Sequence, residues 1–83
     1  MKITVTAEHI KNGVQHWPTM CPVSLAFREK FDYASVGAKR AHVDSKTYYR
    51  LPRVAQKFIA DFDCRRKVAP FEFEARRYYP YEN

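Results

Sequence analysis

The fold turns on Leu51-Pro52-Arg53-Val54-Ala55-Gln56-Lys57-Phe58-Ile59-Ala60-Asp61-Phe62 and on the stretch that follows it, Pro70-Phe71-Glu72-Phe73-Glu74-Ala75-Arg76. In the first, Val54, Ala55, Phe58, Ile59 and Phe62 recur at the three- and four-residue spacing of a helix. Arg53, Gln56, Lys57 and Asp61 take the wet side, and Pro52 opens the element. In the second the period drops to two. Phe71, Phe73 and Ala75 share one face, and Glu72, Glu74 and Arg76 the other, which is a half-buried strand. A helix followed by a strand of this kind points to an α+β domain.

The rest of the chain extends that pattern in both directions. Ile3-Thr4-Val5-Thr6 alternates as a strand, and Thr6 is placed to cap a short helix over Ala7-Glu8-His9-Ile10-Lys11. Asn12-Gly13 closes it, since both residues tolerate positive φ. Residues 14–21 form a loop broken by Pro18. Pro22 suits the first position of a second helix, with Thr19 or Cys21 near its cap and Val23, Ala26, Phe27 and Phe31 as its apolar stripe. Residues 35–50 read as β structure. Val36 and Ala38 share one parity and Ala41 and Val43 the other, which a bulge near Gly37 or Lys39 would reconcile. Asp44-Ser45-Lys46 is a turn and Thr47–Leu51 a strand. Residues 71–76 are then the last strand. The expected architecture is a small two-layer α+β domain, mainly an antiparallel sheet covered on one face by two amphipathic helices. It spans residues 1–76, followed by an aromatic tail, 77–83, too short and Pro-broken for regular structure.

At 83 residues the chain is a single domain with a small core. Hydrophobic residues make up 46%, enough to exclude a fully disordered chain. Two cysteines exclude a disulfide scaffold. No apolar run reaches the length of a membrane span, and the N-terminus lacks an apolar signal core, so a soluble cytoplasmic protein is expected. The net charge is +6, shared by both halves of the chain. That balance favours acidic partners: nucleic acid or an acidic protein surface.

No residue pattern specifies catalysis. Cys21 lies at a helix start that favours a thiolate and His16 is near it, but no carboxylate is placed in sequence to orient the histidine. His9, His16, Cys21, His42 and Cys64 include no close metal-binding pair. Glu72 and Glu74 read as a solvated strand face. No enzyme activity, cofactor or metal is expected. Binding is the remaining class. Arg65-Arg66-Lys67 and Arg76-Arg77 are the densest basic clusters, and the residues for a nucleic-acid site are Arg65, Arg66, Lys67, Arg76 and Arg77. The first cluster also has a purely structural reading, as positive charge at a helix C-terminus. Lys46-Thr47-Tyr48-Tyr49-Arg50 and Arg76-Arg77-Tyr78-Tyr79-Pro80-Tyr81 interleave basic and aromatic residues, so that rings stack on bases while Arg and Lys hold phosphates, although in the first, a strand, only one of Tyr48 and Tyr49 can be exposed. For a protein partner, Trp17, Arg76, Arg77, Tyr78, Tyr79 and Tyr81 are the contact candidates, because Trp, Tyr and Arg dominate interface hot spots.

The order of pieces resembles a group of small proteins encoded by bacteriophages and prophages. The matching elements are Ile3-Thr4-Val5-Thr6 with Glu8-His9-Ile10 and Gly13; Cys21-Pro22-Val23 with Leu25-Ala26; Leu51-Pro52; Phe62-Asp63; and Val68-Ala69-Pro70-Phe71-Glu72-Phe73. They span about residues 3–75 and leave the tyrosine tail outside. The resemblance implies a setting, the cytoplasm of an infected bacterium. It also implies a class, a non-enzymatic accessory protein that binds a host protein and modulates or inhibits it, a defence effector among the options. The positive charge disfavours nucleic-acid mimicry. The alternative is a small basic nucleic-acid-binding protein.

Overall fold

The computed structural model describes residues 1–78. Its elements are β1 (Lys2–Val5), α1 (Ala7–Asn12), α2 (Pro22–Phe27), β2 (Ser35–Val36), β3 (Arg40–His42), β4 (Tyr48–Arg50), α3 (Arg53–Asp63), β5 (Phe71–Glu74) and β6 (Arg76–Tyr78). The α+β reading holds, with antiparallel pairing throughout. The strands nevertheless divide between two sheets rather than forming one: β1-β5, and β2-β3-β4-β6. Three helices accompany them.

Local chemistry explains most boundaries. Thr6 Oγ1 accepts from the His9 amide, and His9 Nδ1 accepts in return from the Thr6 amide, which makes a reciprocal capping box at α1. Because Nδ1 is an acceptor, the His9 proton sits on Nε2, where it meets the Glu29 carboxylate. Gly13 closes α1 at a φ of −74°, so positive φ is not what that position needs. Its requirement is space: a Cβ there would lie 2.6 Å from Pro22 Cδ and Cγ. At α2, Cys21 is the cap, and its Sγ accepts from the Ser24 amide. The helix stops at Phe27, short of the expected Phe31, and turns carry the chain onward. Ser24, fully buried, donates to the Ala34 carbonyl at 2.8 Å and ties down the returning segment.

Residues 35–43 do not form one bulged strand. Gly37 donates to the Arg40 carbonyl, and the chain folds back as a tight hairpin between β2 and β3. The change of parity is the turn itself, and it sets Val36 opposite Ala41 with both buried. The Asp44 turn is as expected: Asp44 Oδ1 accepts from the amides of Lys46 and Thr47. Phe71–Glu74 is not the last strand. After the buried Ala75, β6 joins the second sheet beside β4, so Arg76, Arg77 and Tyr78 lie within regular structure.

The core lies between the sheets and under the helices. Phe27, with no exposed surface, sits between Tyr49 of β4 (ring centroids 5.8 Å apart) and Phe73 of β5 (6.3 Å). The stack continues through Phe71 and Phe58 to Phe62, which seats α3 against β5. Each such pair adds about 0.5–1.5 kcal/mol beyond burial. Ala55, Phe58 and Phe62 are the buried stripe of α3. Val54, expected with them, is instead 55% exposed.

Candidate functional site

Two surfaces carry chemistry, and the hairpin at Gly37 and Ala38 contributes to both. The first is the outer face of the second sheet. Register places Arg40 of β3 opposite Arg50 of β4, and Arg50 opposite Arg76 of β6. Three guanidinium groups therefore occupy one cross-strand row, and all three residues are exposed. The next row on the same face holds Ser35, His42, Tyr48 and the backbone position of Tyr78. The opposite face carries Val36, Ala41 and Tyr49 into the core.

The rings on the outer face are in contact. Tyr33 and His42 have centroids 6.0 Å apart, and His42 and Tyr48 5.5 Å. The Arg40 guanidinium lies over the Tyr48 ring, 5.2 Å from its centroid, a cation–π arrangement. Tyr33, at the outer end, is 47% exposed. At the hairpin end, Lys39, Arg40 and Arg50 line a shallow cleft with Gly37 and Ala38. Like charges directly opposite each other on a sheet repel. The arginine row thus sets three cationic side chains on a face that also presents aromatic rings.

The second surface is a groove of about 330 Å³ between the loop before α2, the β2–β3 hairpin and α3. Trp17, 54% exposed, and Pro18 form one wall, Ile59 and Ala60 the other. The loop is closed by a bond from the Val14 amide to the Met20 carbonyl, and Pro18 accepts from the Val36 amide. His16 and Asp63 meet at the groove: the His16 amide donates to Asp63 Oδ1, and His16 Nδ1 lies 3.8 Å from Oδ2. Cys21 also lines it, so the fold gathers a cysteine, a histidine and a carboxylate that are dispersed in sequence. The thiol is not activated by this company. Burial pushes the Cys21 thiol above its ordinary value of 9.0, and the nearby Asp63 charge pushes the same way.

The sequence-predicted residues separate. Arg76 and Arg77 are consecutive on β6 and so point to opposite faces, Arg76 into the outer row and Arg77 into the row of Tyr49. Arg65, Arg66 and Lys67 follow the end of α3, apart from the sheet row. Arg66 pairs with Asp61 at 3.2 Å. Arg65, at a φ of 60°, is the left-handed residue of the helix stop: its amide donates to the Phe62 carbonyl and that of Arg66 to the Asp61 carbonyl. Trp17 stands on the separate groove. The side chain of Tyr78 and the whole of Tyr79 and Tyr81 lie outside the described residues. Arg50 belongs to a segment that sequence reasoning weighed for nucleic acid, but Arg40, Tyr33 and His42 were missed: strand register sets Arg40 beside Arg50, and a ring contact joins Tyr33 to His42.

Among the described residues no group of three or more His, Cys, Asp or Glu is placed to hold a metal ion. His9 engages Glu29, His16 engages Asp63, His42 joins the ring contacts, and Cys21 and Cys64 are free thiols. Nor is any described helix long and apolar enough to cross a membrane. Compared with protein-family models, curated proteins and solved structures, the chain matches none.

Proposed function

We propose that this chain is a non-enzymatic binding protein that holds nucleic acid on the outer face of its four-stranded sheet. The observation that carries the reading is the row Arg40–Arg50–Arg76, three guanidinium groups opposite one another beside an aromatic row. Guanidinium groups fork onto phosphate oxygens, and a net charge of +6 steers a polyanion towards the protein. The sequence resemblance supplies the setting, the cytoplasm of an infected bacterium. The test is a titration against labelled oligonucleotides at two salt concentrations. Affinity should fall with salt, and Arg50→Ser should weaken binding to every sequence alike. Absence of binding at low salt ends this reading.

A second reading rests on Trp17, which stands half out of its groove as an anchor for a host protein that the chain would modulate or inhibit. Its test is differential capture. A host protein retained by the wild type and by Arg50→Ser, but lost from Trp17→Ser, supports it. A capture profile that Trp17→Ser leaves unchanged removes it.

A further inference from the structure

The order of charges and rings on the sheet face carries more than a general affinity for phosphate. Resting on the nucleic-acid reading above, we infer that the ligand is single-stranded, its backbone following the arginine row across the strands and an unpaired base stacking on Tyr33. The row runs perpendicular to the strands through β3, β4 and β6, which is two interstrand spacings, or roughly 10 Å. That length accommodates two or three phosphates of a strand crossing the sheet. The row of His42 and Tyr48 lies one two-residue step further along the strands, roughly 7 Å away, and Tyr33, just before β2, adjoins it through His42.

A duplex does not fit this arrangement. Its bases are stacked on each other and present only their edges, so an aromatic face beside the phosphate row gains nothing from it. A single strand offers a free π-face at each nucleotide, and ring stacking accepts any base. Tyr33 is the ring with access. It is 47% exposed, and its contact with His42 joins it to Tyr48 and the overlying Arg40. The contacts below Tyr33 restrict the ring before a base arrives, which reduces the ordering cost of stacking. The cleft of Lys39, Arg40 and Arg50 takes the phosphate at the hairpin end. The expected selectivity is for single strands over duplex, without strong sequence preference.

Fluorescence anisotropy with the full chain, using a mixed-sequence single-stranded oligonucleotide and the matching duplex, tests this. Tyr33→Ala should weaken single-strand binding about tenfold and leave duplex binding unchanged. Arg50→Ser should weaken both and lower the single-strand salt slope by about 0.7. Tyr33 is a surface residue, so circular dichroism of the variant should match the wild type and exclude misfolding as the cause. Equal affinity for single strand and duplex, or a Tyr33→Ala variant that binds the single strand as the wild type does, overturns the single-strand inference while leaving nucleic-acid binding in place. No binding of either oligonucleotide by the wild type overturns both.

Discussion

The amide of His16 donates to Asp63 Oδ1 at 3.0 Å, joining residues 47 positions apart in the chain. His16 has a φ of 60°, a conformation costly for any side chain with a Cβ. The acceptor at the end of α3 is therefore what holds the left-handed turn that presents Trp17. Asp63→Ala should destabilise the fold by about 1 kcal/mol, the net value of one such bond in a partly exposed site. Asp63→Asn, which keeps an oxygen at that place, should lose less. Urea unfolding followed by Trp17 fluorescence checks both. A midpoint unchanged in Asp63→Ala would mean that the loop's backbone bonds, Val14–Met20 and Val36–Pro18 among them, secure it without Asp63.

Arg65 carries the other left-handed backbone, at the stop of α3. Glycine is the usual occupant of that position because it has no Cβ to clash with the carbonyl. Arg65→Gly should therefore stabilise the protein by about 1 kcal/mol, a rise of roughly 4–8 °C in Tm for a domain of this size. Arg65→Ala retains the Cβ and should gain nothing. Equal behaviour of the two variants would remove backbone strain as the explanation. The Arg66–Asp61 pair is untouched in both.

Gly13 presents the opposite case. Its φ suits any residue, yet the ring of Pro22 fills the place a Cβ would need. Gly13→Ala should cost about 1–3 kcal/mol through overpacking between the end of α1 and the start of α2. Pro22→Ala in the same background should recover part of that loss. A double-mutant cycle measures the coupling directly. Additive effects would show that the clash is relieved elsewhere.

The legible part of this fold is the part with enough residues to show a period. The helix after Pro52 and the alternation of residues 71–75 announced themselves because eleven and five positions respectively repeat their pattern. The strands of the second sheet have two or three residues each, fewer than a period-two pattern needs to separate from chance. The parity change between Val36 and Ala41 was visible, but a bulge and a hairpin leave the same trace when neither flank is long. The candidate site was hidden for a related reason. Arg40, Arg50 and Arg76 are remote in sequence, and each is an ordinary charged residue until pairing sets them in a row. Linear density pointed to Arg76-Arg77, of which Arg76 joins the row, and to Arg65-Arg66-Lys67, where one residue terminates a helix and another answers Asp61.

Acid should reach two carboxylates. The amides of Lys46 and Thr47 hold the Asp44 carboxyl below its ordinary value of 3.8, and Lys57 and Arg66 do the same for Asp61. A carboxyl lowered in the folded state binds its proton first in the unfolded chain. Its contribution is present above about pH 4 and is lost as pH falls through the lowered value. Asp44 is exposed and Asp61 is partly so, so the effect is a slope in the unfolding midpoint below pH 4, not a collapse. Asp44→Asn keeps an oxygen for the turn and removes the titration, and the acid limb should flatten relative to the wild type. An identical limb would assign the slope to other carboxylates.

Alkali should act through Cys21 with the reverse sign. Burial raises this thiol above 9.0 in the folded protein, so the unfolded chain releases the proton first. The contribution is whole below pH 9 and declines as pH rises towards the raised value. Cys21→Ala removes the thiol and also the acceptor of the Ser24 amide, so its stability should be lower at neutral pH. The diagnostic quantity is the slope between pH 8 and pH 10, where tyrosines and lysines contribute to wild type and variant alike. A shallower decline in the variant identifies Cys21 as the titrating group. Parallel curves would show that the thiol titrates alike in folded and unfolded chains, and its burial would then carry no alkaline cost.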